Sequence, residues 1–191
     1  MKTLTGMFAA MLVTLLAVGC TTTPPTEQKR ENLLDKSQVA LNEMKQADPS
    51  LNDFLNKSYG YAFFPTAGKG GLIIGGAYGR GVVYEQGNFI GYSDITQATV
   101  GAQAGGQSFS ELIVFENKAA LDRFTNGKFT FAANASAVAL KSGAASTARY
   151  TDGVAIFVKP IAGLMAEASV GGQQFTFSRA EAPANMNRNM Q

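Results

Sequence analysis

The stretch GKGGLIIGGAYGRG, Gly68–Gly81, places seven glycines in fourteen residues, and that density restricts the fold more than any other feature of the chain. Each glycine inside a helix costs about 1 kcal/mol against alanine, so a helix here is excluded. A phosphate-cradling loop is excluded too, because Lys69 is followed by Gly70 and not by a serine or threonine. At a period of two the residues separate into faces: Leu72, Ile74, Tyr78, Val82 and Tyr84 on one, and Gly71, Gly75, Ala77, Gly79 and Gly81 on the other, where Ile73 and Val83 are the only bulky members. The expectation is a strand with one packing face and one face of nearly bare backbone, the glycines serving curvature and close approach. The neighbour at that bare face is either a helix of the chain itself, the favoured reading, or a lipid reached from the ends held by Lys69 and Arg80.

The 191 residues, 46% hydrophobic and 16% charged, have room for one domain and one core. Residues 1–19, MKTLTGMFAAMLVTLLAVG, carry an early lysine and an apolar run from Met7 to Val18, which reads as an export signal too short to span a bilayer. Cys20 is the only cysteine, so it has no disulfide partner. It stands where a lipoprotein signal peptidase would cut, although Ala17 occupies the place where Leu is usual and Leu16 lies one step earlier. Acylation of Cys20 by palmitate-class chains is expected, and it would anchor the chain stably. Thr21 after the cysteine directs the expectation to the periplasmic face of the bacterial outer membrane.

Without the signal the chain keeps 15 basic and 14 acidic residues, which offers no bulk attraction to polyanions; no nucleic-acid partner is expected. Residues 20–30 read as the acylated cysteine and a polar tether that leaves the domain's orientation free. From Glu31 to Asp48 the apolar spacing is helical, and Asp48-Pro49 opens a second short helix reaching Lys57. The first helix either covers the domain or lies on a membrane; its mixed charges favour covering. YAFFP, Tyr61–Pro65, reads as a short strand closed by proline. Asn117–Gly127 reads as a helix capped by Asn117, burying Ala120, Leu121 and Phe124, and stopped at Asn126-Gly127.

Two stretches share one texture: Ala98–Glu116 and Ala162–Arg179 each run from small residues through GGQ into an aromatic strand. They read as two related hairpins of one curved sheet. Val154–Pro160 is a buried strand, residues 132–146 are left between helix and strand, and 180–191 form a flexible tail. The fold class is thus α+β, mainly β: a strongly curved antiparallel sheet or partly open barrel, with N-terminal helices and one short internal helix packed on it.

Catalysis finds little to build on, because the chain contains no histidine, and the expectation is no enzyme, no cofactor and no metal site. Asp94, Glu111, Asp122, Asp152 and Glu167 fall in different elements without a catalytic spacing. Phe63, Phe64, Tyr78, Tyr84, Phe89 and Tyr92 read singly as core, collectively as a possible groove lining.

Phe64-Pro65, Lys69-Gly70-Gly71, Gly75-Gly76, Gly79-Arg80-Gly81, Gly105-Gly106-Gln107 and the pair Phe115 and Phe124 resemble the ordered motifs of the SYLF lipid-binding domain, over roughly Glu31–Arg179. The resemblance implies a non-enzymatic domain that binds membrane lipid, phosphoinositides in eukaryotic members, where it is coupled to SH3 modules and actin. It also implies a curved, partly open β-barrel with helices packed on it. No SH3 module follows here, and an exported chain meets neither actin nor, as a rule, phosphoinositides, so the actin role is not carried over. The expected function is that of an envelope lipoprotein contacting phospholipid through the curved sheet and a basic rim. Lys69 and Arg80 would meet phosphates, Lys128, Lys141 and Lys159 would assist, and Phe63, Phe64 and Tyr78 would meet acyl chains. The alternative is a structural lipoprotein that docks an envelope protein and uses lipid only as anchor.

Overall fold

In the structure, a computed structural model, residues 22–127, 130–132 and 137–180 are described. The signal segment, Cys20, Lys128 and all of the tail but Ala180 lie outside them. The first helix, α1, spans Glu27–Ala47, four residues earlier than its apolar spacing indicates, because the Thr26 side chain caps it by accepting from the Lys29 amide. Glu27 in the first turn and Lys45 in the last suit the helix dipole. α2 follows at Ser50–Asn56.

Asp48 joins these two helices to a later one. Its carboxylate accepts from the Ser50 amide and hydroxyl at 3.1 and 2.6 Å, and from the amides of Gly143 and Ala145 at 3.1 and 2.7 Å. The short helix α4, Ala144–Thr147, starts at those amides. Burial pushes the Asp48 carboxyl up, but the hydrogen bonds from Ser50, Ala145 and Gly143 outweigh it and hold the group below its ordinary value.

The sheet consists of β1 (Gly60–Gly71), β2 (Ile74–Glu85), β3 (Asn88–Phe115), β4 (Thr130–Ala132), β5 (Ala137–Ala139) and β6 (Val154–Arg179). Pro65 does not end β1. It sits at a bulge between Phe63 and Thr66, where its missing N–H leaves no ladder bond broken. β1 and β2 form a hairpin, and β3 goes around it: its first part pairs β2 up to Val100, and from Gly105 onward it pairs β1. β6 goes around β3 in turn, antiparallel from Phe115↔Val154 to Gly91↔Arg179. The result is three nested arches with a common crown near the β1–β2 turn, where the Gly101 amide donates to the Ile73 carbonyl at 2.9 Å.

The two GGQ stretches are therefore not separate hairpins. Each is the bend of a single long strand, and the two strands pair with each other through it. Glycine makes this possible: a Cβ on Gly163, which has φ +92°, would stand 2.2 Å from the Gly106 carbonyl oxygen. The outer legs of β6 carry β4 and β5, the latter in parallel, so the sheet is mixed and open. Residues 132–146, ambiguous in sequence, include β5 and the start of α4 among the described positions.

The curled sheet has two cores. On its outer face Phe63, Val82, Leu112, Val114 and Phe157 pack under α1 and α2 through Leu41, Met44 and Leu51, so α1 covers the domain as its charges indicate. The inner face holds Phe64, Ile95, Phe109, Ile113, Phe115 and Phe175. The helix α3, Lys118–Thr125, plugs this core with Ala120, Leu121 and Phe124, and Asn117 Oδ1 caps it at 3.0 Å. Phe124 lies 5.0 Å from Phe115 and 5.2 Å from Phe175, ring to ring, which ties the two legs of the arches together.

Candidate functional site

The bare face of the glycine stretch is the buried one. Gly75, Ala77, Gly79 and Gly81 point into the curl, while Ile74 and Tyr78 on the bulky face are exposed. This inverts the expected packing at the crown end of the stretch, whereas Val82 and Tyr84 of the bulky face pack in the outer core as expected; the reason for the inversion is steric, since the inside of so tight a bend has no room. A Cβ on Gly81 would meet the Phe63 carbonyl oxygen at 2.4 Å, and one on Gly79 the Thr66 carbonyl oxygen at 2.9 Å. Gly68, by contrast, has nothing within 4 Å.

Register places Lys69, Ala77, Gln97 and Gln173 in one row across β1, β2, β3 and β6. Lys69, Gln97 and Gln173 are all buried, and so are Thr99, two rungs nearer the crown, and Ser93 and Glu111 deeper in the curl. A polar layer thus lies inside the arches between the aromatic core and the crown. Gln173 Nε2 donates to Glu111 Oε2 at 2.9 Å across the interior, whereas Glu111 Oε1 has no hydrogen-bonding partner among the described residues. Burial raises the Glu111 carboxyl to about 7, with the Gln173 bond opposing.

The predicted lipid contacts do not form one rim. Lys69 is inside the curl. Arg80, on the outer face, gives Asp94 a hydrogen bond at 2.9 Å and Tyr78 Oη another at 3.2 Å; Asp94 above all holds the guanidinium charged. Lys159 pairs with Glu43 of α1 at 2.8 Å and pins that helix to the sheet, and Lys141 is exposed just before α4. Phe63 and Phe64 are fully buried on opposite faces, one in each core, because adjacent strand residues point in opposite directions. Of the aromatic candidates only Tyr78 is exposed. The remaining aromatics pack with one another: Tyr61 stacks on Tyr84 at 4.9 Å, and Phe89 bridges Tyr84 and Tyr92.

The crown is where apolar surface meets water. Leu72, Ile73, Ile74 and Val100 are 64–74% exposed, and Tyr78 and Ile161, farther down the legs near the level of Gly68, are half exposed. No charged residue occurs from Gly70 to Gly79 or from Ile95 to Ser110, but the β6 arch that runs outside them carries Glu167, in register with Gln103. Contiguous apolar exposure of this kind marks an interaction surface. A second concavity of about 470 Å³ runs beneath α1, lined by Leu34, Ser37, Leu41, Tyr61, Tyr84 and Phe89 among others. Among the described residues no group of three or more His, Cys, Asp or Glu is placed to hold a metal, and no helix is long and apolar enough to cross a membrane. Asp94 is spent on Arg80, and Asp122 on Lys118 at 2.7 Å.

The sequence pattern did not reveal the polar interior layer, since Gln97, Thr99 and Gln173 carry no motif; their shared parity with Lys69 is the only signal. Residues 96–187 match the family model Ysc84, described as Las17-binding protein actin regulator. Over 140 residues the chain is 30% identical to beta cell expansion factor A of Aeromonas veronii, an alignment covering 73% of this chain and 53% of that protein. The chain thus spans about half the length of that relative.

Proposed function

The chain belongs to the Ysc84 family, whose domain is the SYLF domain of the resemblance above, and on that premise we propose that it is a non-catalytic, lipid-binding envelope lipoprotein. The observation that carries the reading is the crown turn, where Leu72, Ile73, Ile74 and Val100 present apolar side chains to water. Its chemistry fits acyl chains better than headgroups, so the contact moves from the basic rim expected in sequence to the bend of the sheet. Actin, which the family description evokes, is set aside because the export signal and Cys20 direct the chain to the periplasmic face of the outer membrane.

Support for the anchor comes from chemistry alone: a single cysteine at the end of an apolar leader, with no disulfide partner in the chain. The test is flotation of residues 20–191 carrying Cys20→Ser, which retain every described residue. The variant is expected to rise with phosphatidylethanolamine–phosphatidylglycerol vesicles although it cannot be acylated. Failure to float with any lipid composition would overturn the reading and leave the anchor as the chain's one link to lipid.

A further inference from the structure

Two concavities of about 470 and 450 Å³ lie beneath α1 and meet at Leu41, Lys45 and Tyr61, which line both. Their common floor is a row of rings, Phe89, Tyr84 and Tyr61, one from each of β3, β2 and β1 in register. α1 runs along this row: its early residues Glu27 and Arg30 act electrostatically on the Tyr92 phenol of β3, and its late residue Lys45 lines the space beside Tyr61. The wall that the helix offers is amphipathic by spacing, with Leu34, Ser37 and Leu41 turned inward and Asp35, Gln38 and Asn42 along the rim.

Both ends of α1 are fastened, so the trough is part of the fold. Lys159 pairs with Glu43 near one end at 2.8 Å. Ahead of the other, Thr22 and Thr23, expected in a free tether, are docked: their hydroxyls lie 2.9 and 2.6 Å from those of Thr176 and Ser178 on β6. Clefts of roughly 300–1,000 Å³ hold small ligands. Leu34 and Lys45, the first and last residues of α1 to line the larger concavity, are about 16 Å apart along the helix. Its volume is thus drawn out, with width for one chain.

Polar groups at the junction have no protein partner. Lys45 pairs with no carboxylate among the described residues, and the Tyr61 and Tyr84 hydroxyls make no hydrogen bond there. Burial, with Tyr84 adjacent, pushes the Tyr61 phenol up to about 12, so it stays a neutral donor. One end of the trough therefore offers a cation and a hydroxyl, while Asp35 toward the other end repels an anion. We propose that the trough binds one single-chain anionic amphiphile, with its carboxylate or phosphate head on Lys45 and the Tyr61 hydroxyl and its acyl chain laid along the aromatic row toward Leu34. The crown meets a lipid surface; the trough holds a single molecule and does not depend on the crown.

The test titrates laurate, below its micelle concentration, into residues 20–191 carrying Cys20→Ser, read by calorimetry and by tyrosine emission, which no tryptophan masks. One saturable site per chain is expected. Lys45→Met, which keeps the stem and removes the charge, should weaken it at least about tenfold. Lys36→Met, nine residues away on the opposite face of α1, should leave it unchanged, and dodecyltrimethylammonium should fail to compete. A tighter site for laurate than for lauroyl lysophosphatidate assigns the ligand to free fatty acids and the reverse to lysophospholipids; either result upholds the site. No saturable binding of either, equal losses from Lys45→Met and Lys36→Met, or competition by the cationic amphiphile would overturn it. Ile73→Asp should leave laurate binding unchanged, so a chain that floats with vesicles yet binds neither amphiphile refutes the trough alone.

Discussion

Glu111→Gln should stabilise the protein in neutral and alkaline solution and leave it unchanged in acid. Glu111 is 1% exposed on the inner face of β3, its Oε2 is bonded to Gln173, and its Oε1 has no hydrogen-bonding partner among the described residues. Burial raises its carboxyl from 4.5 to about 7. A raised carboxyl pKa means that the folded state binds a proton more tightly than the unfolded chain does. The benefit is fully present below about pH 4.5, declines as pH rises toward 7, and is gone above it. At 1.36 kcal/mol per pKa unit, the deficit of the ionised form above pH 7 is about 3 kcal/mol. Glutamine keeps an acceptor for Gln173 Nε2 and cannot ionise.

The assay is thermal or urea unfolding of both proteins from pH 4 to 8.5, read as the difference between them, since Asp48 and other groups shift both curves alike. Asp48, whose carboxyl is held low, loses its contribution only as pH falls below about 4, outside the window that Glu111 commands. The difference should grow from near zero to about 3 kcal/mol, or roughly 6–12 °C in Tm for a domain of this size. A difference independent of pH, or a variant less stable than the parent at pH 8, would refute the buried, half-satisfied placement of this carboxylate.

Gly81→Ala should cost about 1–3 kcal/mol because its methyl would enter the Phe63 carbonyl, whereas Gly68→Ala, with open space around it, should be neutral by denaturant titration; equal effects would contradict the inward placement of the glycines. Asp48→Ala strips the partner from the Gly143 and Ala145 amides and should destabilise by about 3 kcal/mol; a near-neutral result by calorimetry would mean that α4 does not depend on it. Ile73→Asp should weaken vesicle binding of the Cys20→Ser chain by at least about tenfold, while Lys159→Ala, which removes only a contact to Glu43, should leave binding unchanged; the reverse order would restore the basic rim.

Much of this was legible in the residues where local chemistry decides. Asn117, Leu121, Phe124 and Gly127 prescribe α3 from cap to stop, and the structure has that helix. Thr26-Glu27 was also a readable helix start, obscured by the two prolines before it. What local pattern could not reveal was which face of the glycine stretch turns inward. Alternation of large and small residues usually buries the large ones, and only the curvature imposed by β3 and β6 reverses this for Ile74 and Tyr78. The same global curvature converts two GGQ bends into one continuous ladder, because a period of two runs through the bend unchanged. Lys69 illustrates the cost: a lysine in a glycine loop reads as a phosphate ligand, yet its parity with Ala77, Gln97 and Gln173 takes it into the interior.

Hydrogen–deuterium exchange of the Cys20→Ser chain, free and bound to vesicles, tests the role of the sheet in lipid contact most directly. Slowed exchange confined to residues 70–79 and 95–108, with α1 unaltered, is the predicted result. Unchanged exchange at the crown in vesicle-bound protein, or protection at α1 alone, would contradict it.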